Sequence, residues 1–195
     1  MIGNDIVDLT IASKQSNWQR KGFLNKIFTV NEQEFIKNSN FPNLTVWLLW
    51  TMKESAYKVY VQQYQHRFFA PKKIQCEFIS KTKGQVKINS EKYNITSVFH
   101  SNYIYSTALS SSGGYSSDDF FKMKDISYSE QHKECYKRLK RALSEKYAMP
   151  IEKLRIKKNS IGVPKIYQNN KQLKTSFSIS HHGNYGMYSI LNSAR

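Results

Sequence analysis

Between residues 43 and 109 the hydrophobic period changes once, from helical to alternating, and that change constrains the fold more than any other feature of the chain. Apolar residues through NLTVWLLWTMKESAYKVYVQ (43–62) recur every three or four positions, the spacing of a helix with a wide buried face. Beyond it Ile74, Cys76 and Phe78 alternate and Gly84 interrupts. QVKIN (85–89), YNITSVF (93–99) and YIYSTAL (103–109) then read as strands of a meander. A helix packed on an antiparallel sheet, an α+β arrangement, satisfies both periods. Upstream, residues 2–9 are apolar enough for a buried strand, and VNEQEFI (30–36) reads as a short acidic helix start.

The rest of the chain repeats this order in weaker form. HKECYKRLKRALSEKYAM (132–149) predicts a basic helix stopped by Pro150, and LRIKK (154–158) predicts a strand. Gly162 and Pro164 make a break, after which TSFSIS (175–180) and YGMYSIL (185–191) read as strands. HSNYIYSTALS (100–110) and HGNYGMYSILN (182–192) share, with one inserted residue, His-x-Asn-Tyr, then Tyr-Ser, then an apolar pair. Such a match suggests an internal duplication; a chance likeness of two Tyr-rich strand ends is the alternative. The Ser- and Gly-rich SSSGGYSSDD (110–119) marks a flexible connection that divides the chain into 1–112 and 113–195.

With 195 residues, 39% hydrophobic and 14% aromatic, the chain is expected to fold into a globular body. No apolar run approaches the roughly 18–20 residues that span a bilayer. The start, MIGNDIVDL, has two aspartates and no basic segment, so a cytoplasmic protein without a membrane association is expected. Cys76 and Cys135 lack a CxxC or histidine partner and are read as reduced thiols without chemistry. Thirty Lys plus Arg against fourteen Asp plus Glu give a formal charge of +16, a field that attracts polyanions, anionic cofactors or acidic proteins.

Three places carry potential chemistry. Glu54 and Lys58 are four apart and share one helix face, an arrangement that by itself means no more than a surface ion pair worth a few tenths of a kcal/mol. Asp5 interrupts an apolar strand. A buried lone carboxylate costs several kcal/mol, so this residue either sits exposed at a strand end or shares a cation with a second carboxylate. His181-His182 invites a zinc reading, but strand neighbours point to opposite faces and no further Cys or His lies near. Ser180-His181 before Gly183 is better placed to hydrogen-bond a phosphate oxygen.

IGNDIV (2–7), WTMKESAYK (50–58), and GVPKIY (162–167) with FSISHHG (177–183) together resemble the three signatures of the 4′-phosphopantetheinyl transferases. Those signatures are a G-x-D-I strand, a W/F-x-x-K-E-(S/A)-x-x-K helix and a G-x-P…S-x-S-H segment. The resemblance implies the family's α+β fold, a pseudodimer of two halves, each with a helix on an antiparallel sheet. The G-x-D-I and K-E-S half comes first, as in the short trimeric holo-acyl-carrier-protein synthases. The length is nearer that of the monomeric surfactin-synthetase-activating type. A circularly permuted pseudodimer, monomeric and joined through 110–119, reconciles the two.

The implied activity is magnesium-dependent transfer of the 4′-phosphopantetheine arm of coenzyme A to a serine of an acidic apo acyl or peptidyl carrier protein, releasing adenosine 3′,5′-bisphosphate. By the resemblance Asp5 and Glu54 hold the magnesium ion. Glu54 takes the serine proton directly or through a metal-bound water, and Lys58 stabilises the departing diphosphate. Ser180 and His181 contact phosphate, and Gly162 and Pro164 form the adenine-side wall. There are departures from the family pattern. Val7 stands where the long type has a second acid, and Asp8, facing the other way on a regular strand, is not taken as a ligand. G-V-P lacks a lysine, although Lys165 is adjacent, and the partner of the 3′-phosphate falls among Lys133, Lys137 and Arg141. The competing class is a basic nucleic-acid-binding protein without catalysis, suggested by the charge and thirteen tyrosines. It gives no reason for the strand aspartate or for the K-E-S spacing.

Overall fold

A computed structural model describes residues 1–110, 114–124 and 127–192. Strand β1 (Ile2–Asp8) leads into helices α1 (Leu9–Gln15), α2 (Phe23–Ile27), α3 (Val30–Lys37) and α4 (Pro42–Tyr64). Strands β2 (Ile74–Phe78), β3 (Lys83–Ile88), β4 (Glu91–Phe99) and β5 (Tyr103–Ser110) follow. The five strands form one antiparallel sheet in the order β1-β5-β4-β3-β2. The 23-residue α4 starts on Pro42, whose missing N–H costs nothing at a helix start, and ends where Gln65 turns left-handed. Val46, Leu49, Met52, Ala56 and Val59 form its buried stripe and pack into the main core with Ile88, Tyr93 and Ile104 of the sheet.

The second portion comprises β6 (Tyr115–Lys122), α5 (Tyr128–Tyr147), β7 (Leu154–Lys158), β8 (Pro164–Gln168), β9 (Lys171–Gln172), β10 (Phe177–His182) and β11 (Tyr185–Asn192). Its sheets run β10-β11-β6 and β7-β8-β9. Read from the first strand, β6-β11-β10 repeats β1-β5-β4, and β8 between β7 and β9 repeats β3 between β2 and β4. The counterpart of β4 is thus split in two. Ser106 of β5 lies opposite Asp5, and Ser189 of β11 lies opposite Asp118. The likeness between 100–110 and 182–192 therefore falls at equal places in the two sheets. On α5 Cys135, Leu139 and Leu143, four residues apart, are its buried face.

Strand β1 joins the two portions. The N–H groups of Ile2 and Asn4 donate to the Ser176 and Ser178 hydroxyls, each at 3.0 Å, and the Asp8 N–H donates to His182 Nδ1 at 3.0 Å. All three pairs keep the same sequence offset of 174, as strands in register must. Side chains here stand in for a ladder of carbonyls. Gln62 of α4 locks the start of this seam, donating to the Ile2 carbonyl at 2.7 Å and accepting from the Ser176 hydroxyl at 2.8 Å.

Several expectations change. Residues 115–119, expected within a flexible connection, belong to β6, an edge strand whose polar residues face solvent and so carry no hydrophobic alternation. The expected boundary at 112/113 lies outside the described residues. Pro164 opens β8 rather than a break, at a strand's first position where a missing N–H is tolerated. Helix α5 begins at Tyr128, four residues before the basic run.

Candidate active site

The site depends on how closely α4 lies on β1. A Cβ added to Gly3 would stand 2.1 Å from the Ser55 carbonyl oxygen and 3.1 Å from the Lys58 Cβ. Only glycine allows the helix backbone to come this near, and Ser55, fully buried, is small enough to sit at the crossing. Glu54 and Lys58, flanking Ser55, are thereby brought alongside Asp5. Lys58 Nζ donates to the Asn4 carbonyl at 2.6 Å and to Asp5 Oδ1 at 3.0 Å.

Two carboxyl groups then share one half-buried place with a single ammonium. Burial, then the Asp5 charge, push Glu54 up to about 7, with Lys58 pulling the other way. Burial raises Asp5 as well, against Lys58 and His182. Such a pair repels unless a cation joins it. Magnesium, which accepts one or two carboxylates and fills its shell with water and phosphate oxygens, fits this donor set. No group of three His, Cys, Asp or Glu side chains able to hold a metal ion occurs among the described residues. Val7, where a second strand acid would stand, is part of the core.

Asp8 has a different task. Its carboxylate caps α1 through the Ile11 N–H at 3.0 Å and accepts the backbone and side-chain N–H groups of Asn184, each at 2.9 Å. Burial works to raise it, yet hydrogen bonds from Asn184, Ile11 and Thr10 prevail and hold it below the usual carboxylate range. Asp8 is a clamp between the two portions.

Lys53, the first residue of K-E-S, turns into the fold toward Glu32 and does not line the cleft at Asp5. It is 3% exposed and pairs at 2.8 Å with Glu32, itself 1% exposed, while donating to the Pro71 carbonyl at 3.0 Å and to the Ile74 carbonyl. Glu32 also closes the capping box of α3 with Thr29 and accepts the Cys76 N–H at 2.8 Å. The sequence holds a signal for this. Lys53 stands four residues after Leu49 and three before Ala56, inside the apolar stripe.

A cleft of about 340 Å³ opens between the two portions beside Asp5 and Lys58. From the second portion it takes Gly162, Pro164, Ser180 and His181, four of the residues expected there. The Ser180 hydroxyl is buried and has no hydrogen-bond partner among the described residues. His181 Nδ1 lies 2.7 Å from the Gln131 side-chain oxygen, whose amide donates to the Gly183 carbonyl at 2.6 Å. That orientation leaves the His181 proton on Nδ1. Burial and then the charges of His132, Lys58, His182 and Lys158 hold His181 below its usual value. His182, pointing the opposite way, belongs to the β1 seam. Glu54 borders the far side of Tyr57, at an apolar notch lined also by Ile27, Trp50, Phe68 and Phe69.

Arg141 and Lys165 do not line the cleft. Helix α5 contributes Tyr128, His132 and Tyr136, spaced four apart, and Arg141 falls five residues beyond on an exposed face. Lys133 and Lys137 stand one residue off the same stripe and are exposed. On β8, Lys165 alternates away from the cleft-lining Pro164 and pairs with Lys157. The further cations of the cleft are Arg67, just after α4, and Lys158, at the end of β7. Neither lies in a motif, which is why sequence reasoning missed both.

A family model, the 4′-phosphopantetheinyl transferase superfamily, matches residues 1–114. Among solved structures the chain is similar to a Thermotoga maritima holo-[acyl-carrier-protein] synthase (AcpS), with 9% sequence identity and a TM-score of 0.44 over 88% of this chain and 83% of that one. No match is found among curated proteins. Because the family match takes in both the strand of Asp5 and the helix of Glu54, the elements whose close crossing builds the site, this chain belongs to the 4′-phosphopantetheinyl transferase superfamily.

Proposed function

We propose that the protein transfers the 4′-phosphopantetheine arm of coenzyme A to a serine of an acidic apo acyl or peptidyl carrier protein, using magnesium and releasing adenosine 3′,5′-bisphosphate. The observation that carries this reading is the pair of raised carboxyls, Asp5 and Glu54, beside Lys58 at the edge of a cleft with a buried hydroxyl that has no partner among the described residues. Asp5 and Glu54 would hold the ion, which supplies charge neutralisation at the diphosphate when bound.

The chain's own groups supply the rest. Glu54 takes the proton of the carrier serine as its oxygen bonds to the β-phosphorus. The bond from that phosphorus to the bridging oxygen breaks, and the electron pair leaves with the nucleotide bisphosphate. Lys58, steered by the Asn4 carbonyl and Asp5, stabilises the charge that develops on the 5′-phosphate of the leaving nucleotide bisphosphate. Ser180 and His181, the latter held by Gln131, hydrogen-bond a phosphate oxygen, and Gly162 and Pro164 line the nucleotide side. The notch on the other side of Glu54 leaves the carrier serine a separate approach, flanked by Lys26 over the Phe69 ring at 5.8 Å and by Lys72 and Lys73.

The repeated sheet order supports a circularly permuted pseudodimer that acts as a monomer. Light scattering should return the mass of one chain, and a stable trimer would refute that assembly. The activity is tested by mixing the protein with coenzyme A, magnesium and a panel of acidic apo carriers and weighing the carriers intact. A gain of one phosphopantetheine is expected, lost in Glu54→Ala with the fold preserved. A panel left wholly unmodified would refute the reading.

A further inference from the structure

A transferase of this kind has to keep the phosphopantetheine arm from water, which is far more abundant than any carrier protein. An in-line displacement brings the nucleophile in opposite the departing group. With the nucleotide in the cleft, that side is the apolar notch beyond Tyr57, a residue that lines both places. Glu54 borders the notch, which holds about 100 Å³.

Ile27, Trp50, Phe68, Phe69, Pro71 and Ile74 supply most of its wall. The Phe68 ring stands edge-on to both Tyr57 and Tyr60, with centroids 5.3 Å apart in each pair, so that side of the notch is packed. Polar groups beside these rings are engaged in the fold. The Lys53 ammonium donates to Glu32 at 2.8 Å, to the Pro71 carbonyl at 3.0 Å and to the Ile74 carbonyl. The Tyr57 hydroxyl accepts the Phe68 N–H at 3.2 Å, and the Ala70 carbonyl accepts the Lys73 N–H at 2.9 Å.

A buried water is held by about three hydrogen bonds. Beside Glu54 it meets one carboxylate and a wall of carbon, so its remaining hydrogen-bonding capacity goes unmet at a cost in free energy. A carrier serine has no such need, because the docked protein positions its hydroxyl. The wall therefore favours a nucleophile that arrives attached to a protein over free water, and a dry approach suppresses the side reaction. In that side reaction a water oxygen bonds to the β-phosphorus of coenzyme A and a proton passes to Glu54. The bond from that phosphorus to the bridging oxygen breaks, leaving 4′-phosphopantetheine and adenosine 3′,5′-bisphosphate.

We propose that the apolar notch beside Glu54 discriminates against water, with Phe69 and Ala70 as specificity-determining positions that keep coenzyme A from being hydrolysed until a carrier serine enters; this rests on the transferase reading above. The test follows carrier-free breakdown of coenzyme A in magnesium by chromatography, for the wild type, Phe69→Leu, Phe69→Ala and Ala70→Ser, with thermal melts and calorimetric binding of coenzyme A alongside. Phe69 is 81% exposed and Ala70→Ser adds one oxygen, so the variants fold. Phe69→Leu keeps the wall apolar and should hydrolyse as slowly as the wild type. Phe69→Ala opens the notch and Ala70→Ser gives a water a second partner, so each should hydrolyse roughly tenfold faster while affinity for coenzyme A stays within about twofold. In ¹⁸O-water the label should enter 4′-phosphopantetheine, and adding Glu54→Ala should remove the gain. Crystals of Ala70→Ser should show an ordered water between the new hydroxyl and Glu54. Phe69→Ala and Ala70→Ser proteins no faster than the wild type, a gain that survives Glu54→Ala, or label in the bisphosphate overturns the notch proposal alone. So does a wild type that breaks down coenzyme A as fast as it modifies a carrier. A wild type that neither binds coenzyme A nor modifies any carrier overturns the transferase reading and the notch proposal with it.

Discussion

Replacing Lys53 with alanine separates the two tasks of the K-E-S segment. The ammonium is 3% exposed and lies 2.8 Å from a carboxylate that is 1% exposed. Without it Glu32 keeps the Thr29 and Cys76 N–H groups but no counter-charge, and the Pro71 and Ile74 carbonyls lose their donor. Breaking one partner of a buried pair costs about 3–5 kcal/mol. For a domain of this size each kcal/mol lowers Tm by roughly 2–4 °C, so Lys53→Ala should melt about 6–20 °C below the wild type. Lys53→Met with Glu32→Gln removes both charges while keeping an acceptor for the α3 cap, and should recover most of that loss. Thermal unfolding gives the stabilities. Coenzyme A binding at low temperature, scaled to the folded fraction, gives the function. A Lys53→Ala protein that melts within about 3 °C of the wild type, or that is folded yet cannot bind coenzyme A, would refute the assignment of Lys53 to the fold rather than to the substrate.

Gly3→Ala places a methyl 2.1 Å from the Ser55 carbonyl oxygen, so α4 must lift; a loss of roughly 1–3 kcal/mol or more is expected, read by melting, together with a fall in transfer as Glu54 leaves Asp5. Asp8 and His182 are both held below their ordinary values, so the folded state binds fewer protons than the unfolded one. Their stabilisation is complete above about pH 6.5 for His182 and about pH 4 for Asp8, and is lost as acid protonates them in the fold. His182→Asn, which retains an acceptor for the Asp8 N–H, should flatten the upper limb of Tm against pH relative to the wild type. Asp5 and Glu54 run the other way. Raised values mean that the folded state binds protons more tightly, so without metal this pair weakens the fold as pH rises from about 5 through 7. Magnesium should reverse that loss and release protons on binding, and Glu54→Gln should abolish both, by melts with and without chelator and by calorimetry in buffers of different ionisation enthalpy.

What was legible in the sequence followed from repetition of a period. Helix α4 and strands β2 to β4 have helical or alternating patterns because each has one face in the main core, whereas β5 is buried on both faces. Strand β6 has no such pattern, since an edge strand of polar residues such as Ser116, Ser117 and Asp118 is held by its ladder to β11. The short α1 and α2 offer fewer than three turns and leave little periodicity to read. At the site, Ser180 and His181 are adjacent in sequence and were found together. The nearness of Asp5 to Glu54 came from resemblance, because nothing local to either residue states how near a helix crosses a strand. Its physical basis, an unsubstituted Cα at Gly3, is visible only with both backbones in place. Arg67 and Lys158 escaped because neither lies in a motif.

The duplicated architecture also shows why one carboxylate site is built rather than two. Asp118 holds on β6 the place that Asp5 holds on β1, each opposite the serine of a Tyr-Ser pair. Two residues before Asp5 stands Gly3, which admits the backbone of α4; two residues before Asp118 stands Ser116. Its hydroxyl donates to Asp118 at 3.2 Å, and the Thr107 hydroxyl donates to the same oxygen at 3.0 Å, joining β6 to β5. Helix α5 packs instead on β10, β11 and β7. Asp118 is therefore an exposed, hydrogen-bonded acid, whereas Asp5 is desolvated and paired with Lys58. The difference between an exposed aspartate and one desolvated beside a second carboxyl lies here in the residue two positions before it, through the helix that residue admits or excludes.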